Sequence, residues 1–164
     1  MVQSGNSTIF NSPTFGSLTL EEVRKKILEF MAKEPESKYR IVIGTDSQGK
    51  NGSGTDFVKA LVIHRQGWGG IYFWQRIIDN QTYVLRQRIY QEAALSLALA
   101  EEFLQVTKND GISRFDVQIH VDIGEYGETR EMINEVVGMI RGSGFNCQIK
   151  PDSYAASKVA DRYT

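Results

Sequence analysis

Residues 40–48 read Arg-Ile-Val-Ile-Gly-Thr-Asp-Ser-Gln (RIVIGTDSQ). The run is short, apolar and β-branched, which fits a strand packed on a pleated surface. Its outgoing end meets Gly49–Gly54 (GKNGSG), a turn, and Asp56–Arg65 (DFVKALVIHR) then reads as a second strand. Gln66–Gly70 (QGWGG) is another turn, followed by a third strand at Ile71–Ile78. Glycine-rich connections this short join antiparallel neighbours, so residues 40–78 form a meander.

The pattern changes on both sides of the meander. A long helix over Tyr83–Thr107, rich in Ala, Leu, Gln and Glu, is stopped by Asn109-Asp110-Gly111. Phe115–Asp122 (FDVQIHVD) reads as a strand, Glu128–Arg141 as a helix, Phe145–Lys150 as a strand, and Ser153–Thr164 is helical in composition. Upstream, Thr19 and Glu22 make a capping box, with Leu18 stapled onto Val23. That opens a helix over 19–33 whose Leu20, Val23, Ile27, Phe30 and Met31 share one face. Residues 1–16 show no period and read as a loose arm, leaving one domain over 17–164. A βαβ alternation after a meander implies an α/β fold. The sheet is mixed and five-stranded, with helices on both faces and an extra N-terminal helix.

Composition narrows the chemistry. The 164 residues suit one domain with a core of its own. Lys plus Arg is 19 and Asp plus Glu 20, a net charge of −1, which excludes a polybasic binder relying on bulk charge. A local basic path beside an acidic site remains compatible with that balance. Cys147 is the single cysteine, so disulfide frameworks and Cys-based zinc sites are excluded. No apolar run is long enough to span a membrane and no basic-then-apolar leader is seen, so the expected address is the cytoplasm.

The informative residues are acids that interrupt apolar patterns. Asp46 shares a strand face with Val42 and Gly44 and sits before the turn, where an Asp can also simply open the turn through its own backbone. On the long helix, Leu85, Ile89, Ala93, Ser96, Ala100 and Phe103 form a buried stripe. Glu92 lies on its flank, pointing toward the sheet or half exposed on a snorkelling stem. Asp122 ends a strand whose own face carries Gln118 and His120, polar for a central strand; it can also cap the segment that follows. Asp161, alone, reads as a solvated acid of the terminal helix. Asp46 and Asp122 both end strands on the side where open α/β sheets place ligands, and returning helices can aim Glu92 and Asp161 at the same point. Two unit charges 4 Å apart repel by about 4 kcal/mol at an effective dielectric of 20. Divalent cations remove that penalty. Mg²⁺ takes a few carboxylates plus water and phosphate oxygens, and a pair of ions can activate water and stabilise the leaving oxygen of a phosphodiester.

The order β-Asp46, meander, helix-Glu92, β-Asp122, helix, β, helix-Asp161 resembles the ribonuclease H-like superfamily. IVIGTDSQ, RIYQEA, HVDIG and SYAASKVADRY are similar, more narrowly, to the bacterial YkuK-type predicted ribonuclease H-like nucleases. The resemblance covers about Tyr39–Thr164. It implies a ribonuclease H-like fold and a Mg²⁺- or Mn²⁺-dependent nuclease acting on RNA, an RNA–DNA hybrid or structured DNA. Asp46 would bridge two metal ions, and Glu92, Asp122 and Asp161 would complete the ligand set, with no protein nucleophile.

Other residues read less sharply. Arg76, Arg86 and Arg88, with Lys50 and Lys59, could form a path for a phosphate backbone or be ordinary solvated cations. Tyr83, Tyr90 and Tyr126 could stack bases or pack at the rim. His64 and His120 read as strand histidines; His120, on the face of Asp122, could orient it. Lys158, one turn before Asp161, could neutralise that acid, and Cys147 reads as structural. The rival to a nuclease is a nucleic-acid-binding or scaffold module that keeps the fold without turnover. A homodimer fits either reading. An ATP-handling reading, prompted by Asp122-Ile-Gly124, lacks a P-loop and a second domain.

Overall fold

Long β-branched runs separated by glycine turns produce long paired strands. In a computed structural model, which describes residues 9–164 except the side chains of Ala156, Ser157 and Asp161, the meander is β3 (Tyr39–Gly49), β4 (Thr55–Arg65) and β5 (Gly70–Asp79). These pair antiparallel along almost their full lengths, Tyr39 opposite Arg65 and Thr55 opposite Asp79. The β3–β4 turn closes with Ser53 N–H donating to Lys50 O at 2.8 Å. Asn51 and Gly52 both take positive φ there, +42° and +82°, the conformation for which hairpins select Asn-Gly. Gly70 is required for a different reason: a Cβ on it would lie 2.2 Å from Ile63 O on β4.

The capping box forms as its residues predict. Glu22 N–H donates to Thr19 Oγ1 at 3.2 Å and Thr19 N–H to Glu22 Oε1 at 3.1 Å, opening α1 (Leu20–Lys33) with Val23 and Ile27 buried. The long helix is α2 (Leu85–Val106). Strand β6 (Val117–His120) runs parallel to β3, and β7 (Asn146–Gln148) parallel to β6, with α3 (Ile133–Gly142) between them. The βαβ crossovers thus add strands on the far side of β3 from the meander.

The sheet has seven strands, not five, in the order β2-β1-β5-β4-β3-β6-β7. Of the two additional strands, β1 (Ile9–Ser12) and the first residue of β2 (Gly16–Thr19) come from the stretch expected to be a loose arm, and the rest of β2 precedes the expected helix. They form a hairpin that joins the outer edge of β5 at Asn11–Trp74. Aromatic anchoring explains the difference: Phe10 is fully buried, and Phe15 stacks on Phe73 with ring centroids 6.1 Å apart. Residues 1–8 of the expected arm lie outside the described residues.

One face of the sheet, with Ile41, Ile43, Leu61, Ile63, Phe73 and Ile119, packs against α1, α2 and α3 in one continuous core. The opposite face, with Val42, Val58, Ala60 and Val62, is covered by the terminal segment through Ala155 and Ala160. That segment is a wide π-type turn over Ala155–Ala160 followed by a 3₁₀ turn over Asp161–Tyr163, not a regular α-helix. No helix among the described residues is long and apolar enough to cross a membrane.

Candidate functional site

Strand alternation places successive β3 side chains on opposite faces, and at its outgoing end this alternation divides the polar residues. Thr45 and Ser47 face α2. Thr45 Oγ1 and Ser96 Oγ share a hydrogen bond of 2.7 Å, and Ser47 Oγ–H donates to Glu92 Oε1 at 2.6 Å. Asp46, between them, faces the terminal segment and accepts from Thr164 Oγ1–H at 3.2 Å. The site is therefore built astride β3, with Glu92 reaching in from one face and Asp46 from the other.

Glu92 is the most perturbed carboxyl of the group. It is only 7% exposed, and its pKa is pushed up to about 8, first by burial and then by the charges of Asp46 and Asp122. The Ser47 hydrogen bond and the Arg88 guanidinium act the other way, without overcoming burial. Of the two orientations open to Glu92 from the helix pattern, the inward one is found.

Asp122 lies two residues beyond His120, as Asp46 lies two beyond Gly44, the last pair of the parallel β3–β6 ladder. Its Oδ1 is enclosed and accepts no hydrogen bond, and Lys150 Nζ stands 3.2 Å away as an ion pair. Asp161 begins the last 3₁₀ turn, and its side chain, the fourth expected ligand, lies outside the described residues. Asp46 and Asp122 are each brought within electrostatic reach of Glu92. Among the described residues, however, no three His, Cys, Asp or Glu side chains stand close enough to hold one metal ion.

The donor set nevertheless fits a hard divalent cation. It consists of carboxylate oxygens, one of them buried and destabilised when charged, another enclosed with no hydrogen bond, which is the chemistry Mg²⁺ and Mn²⁺ take. Ser47, Lys150 and Thr164 were not singled out from sequence. Ser47 shares the RIVIGTDSQ strand with Asp46 and offered a weak signal. Lys150, twenty-eight residues beyond Asp122, offered none.

His120 has a different task from orienting Asp122. It is 2% exposed, its Nδ1 accepts from Tyr154 N–H at 3.1 Å, and its ring meets that of Tyr154 edge-on at 4.6 Å. Accepting at Nδ1 leaves the proton on Nε2, which faces Gln118 Oε1 at 3.2 Å. Burial, helped by Arg40, drops its pKa to about 4. His120 thus anchors the start of the terminal segment.

The expected basic path is only partly present. Lys59 is buried on the core side of β4, where burial lowers its pKa, so it offers nothing to a phosphate backbone. Lys50 is paired with Asp56 at 2.8 Å and Arg86 with Glu135 at 3.0 Å. Arg76 lies over Trp74 and donates to the Tyr163 carbonyl. Arg88, one turn before Glu92, reaches over Gly49. Of the tyrosines, Tyr83 donates to Asp79 at 2.6 Å, whereas Tyr126, 91% exposed, lies on the loop after Asp122. Cys147 is buried and unpaired in a disulfide.

Comparison with known proteins agrees with this architecture. A family model described as Ribonuclease H-like matches residues 22–164. The "Uncharacterized protein YkuK" of Bacillus subtilis (strain 168) is 33% identical over 172 residues, covering 97% of this chain and 98% of that protein. No solved structure matches.

Proposed function

The chain belongs to the ribonuclease H-like family, and from that premise we propose that it is a divalent-metal-dependent nuclease hydrolysing phosphodiester bonds of RNA, an RNA–DNA hybrid or structured DNA. The observation that carries this reading is that Glu92 of α2 is buried within electrostatic reach of Asp46 and Asp122, at the outgoing ends of β3 and β6. Burial and the neighbouring charges destabilise ionised Glu92, and a cation would relieve it.

Mg²⁺ or Mn²⁺ held by Asp46, Glu92, Asp122 and Asp161, two ions with substrate present, would supply water activation and charge neutralisation at the leaving oxygen. The chain's own groups set the conditions. Glu92 is largely protonated at neutral pH and must give up its proton before it can ligate. Ser47 Oγ–H holds Glu92 Oε1 and leaves Oε2 for a ligand. The Lys150 ammonium must yield or share Asp122 Oδ1, and the Thr164 hydroxyl must do so at Asp46 Oδ2. These last two contacts also favour a second reading, a nucleic-acid-binding or scaffold module without turnover, since they compensate two of the carboxylates with the chain's own groups.

Metal binding separates the readings before any substrate is chosen. Calorimetry and thermal unfolding of the wild type with Mn²⁺ and Mg²⁺ should show stabilisation of about 2.7 kcal/mol at one hundred times the dissociation constant. For a chain of this size that is roughly 5–10 °C in Tm. The shift should vanish in Asp122→Asn, after which a panel of RNA, hybrid and branched DNA tests cleavage. A wild type that binds neither ion, alone or with nucleic acid, would favour the module without turnover.

A further inference from the structure

The sheet face under the terminal segment is divided. Its β3–β5 half is apolar and covered by Ala155 and Ala160. Its β6–β7 half carries Gln118, His120 and Gln148, and there the chain from Pro151 to Lys158 forms one wall of a cavity of about 480 Å³. Arg40, from the incoming end of β3, and Lys158 bring positive charge to it. None of its residues belongs to the set Asp46, Glu92 and Asp122.

This cavity is rich in donors and poor in acceptors. Neither Arg40 nor Lys158 makes an ion pair among the described residues. Gln118 has its carbonyl oxygen turned to His120 Nε2, which leaves its NH₂ as a donor. Tyr154 lines the wall, and its backbone N–H is already spent on His120 Nδ1. His120 adds no charge, because its Nδ1 is held by Tyr154 N–H. Against these donors stands one carboxylate, Asp152.

We propose that this cavity is a binding site for a phosphate monoester, with the phosphate held between Arg40 and Lys158 and a nucleoside accommodated behind it. Arg supplies a planar fork matched to phosphate oxygens and Lys a compact charge. The volume falls in the range of small-molecule sites, larger than a lone phosphate requires. The glutamine amides of β6 and β7 are the groups available to a base or sugar edge. The site needs no metal and is independent of the nuclease reading.

The test is calorimetry on the full metal-free chain in EDTA, with adenosine monophosphate, inorganic phosphate and adenosine. Adenosine monophosphate should bind saturably and adenosine at least about 10-fold more weakly, the loss expected for a charge-assisted contact. Arg40→Gln and Lys158→Gln should each weaken it about 10-fold or more, Arg40→Lys less, and Asp46→Asn not at all. On the wild type, amide shift changes should centre on Gln118, Gln148 and Tyr154, a readout that needs no variant to fold. A 5′-phosphorylated tetranucleotide binding as tightly as the mononucleotide would identify a strand end as the source, and exclusive binding of the mononucleotide a free nucleotide. No saturable binding of any phosphate-bearing probe would overturn the proposal. So would equal binding of adenosine, survival of binding in both glutamine variants, or its loss in Asp46→Asn.

Discussion

The two faces of the sheet are stabilised by different means. Beneath α1, α2 and α3 lies one continuous apolar cluster running from Phe10 through Ile43, Leu61 and Phe103 to Ile140. Beneath the terminal segment there are two small clusters, around Val42 and around Val58 and Ala60. The remaining attachments there are polar or aromatic: His120 Nδ1 to Tyr154, the Tyr72–Tyr163 hydroxyl contact, and Tyr163 stacked on Trp74 at 4.2 Å. Area burial on one face and a few directional contacts on the other imply unequal local stability. Asp46 faces the weaker side and Glu92 the stronger.

Breaking the strong face should have the largest effect. Phe103→Ala removes a fully buried ring and should cost about 3–5 kcal/mol, lowering the urea midpoint of the whole domain in one transition. A transition confined to part of the chain would contradict a single core.

Glu92→Gln should act in the opposite direction. The folded pKa of Glu92, about 8, lies above its ordinary value of 4.5, so the folded state holds a proton that the unfolded state releases. The resulting penalty is absent below pH 4.5, grows as pH rises, and is complete near pH 8. The glutamine variant keeps the Ser47 acceptor and should gain up to about 4 kcal/mol at pH 8 without metal, with no gain at pH 4. Metal affinity of the wild type should rise over the same interval, because binding displaces that proton.

Tyr163→Ala should cost less, about 1–2 kcal/mol, and locally. Hydrogen exchange should quicken over residues 155–163 while α2 and β3 keep their protection. The smallest effect is acidification. The folded pKa of His120, about 4, is below its ordinary 6.5, so its contribution is whole above pH 6.5 and fades as pH falls toward 4. His120→Ala should flatten that acid sensitivity and, at neutral pH, cost about 1 kcal/mol for the lost hydrogen bond to Tyr154. Equal acid sensitivity in both proteins would transfer the effect to another group.

How much of this was legible from residue order depends on range. The meander was readable because its turns carry their own chemistry, such as Asn51-Gly52 at positive φ, and α1 because Thr19 and Glu22 are three residues apart. Asp46, Glu92 and Asp122 were readable as acids breaking apolar patterns; the fold sets Asp46 and Asp122 within electrostatic reach of Glu92, but among the described residues no three acids stand close enough to hold one ion. The β1–β2 hairpin was not, since four-residue strands held by Phe10 and Phe15 leave no period to detect. Nor was Lys150 at Asp122, a pairing made only by the parallel β6–β7 register. The π-type turn at Ala155–Ala160 has a helical composition that does not reveal its pitch.

The hairpin has a practical consequence for trimming the chain. The family match begins at residue 22, yet β5, the strand that would then border solvent, spans ten residues and relies on β1 for cover. A chain cut at residue 22 would present an unpaired ladder beside an uncovered Phe73, the kind of edge along which sheets of separate molecules join. Retaining residues 9–21 interrupts that edge at Asn11–Trp74 and keeps Phe15 stacked on Phe73.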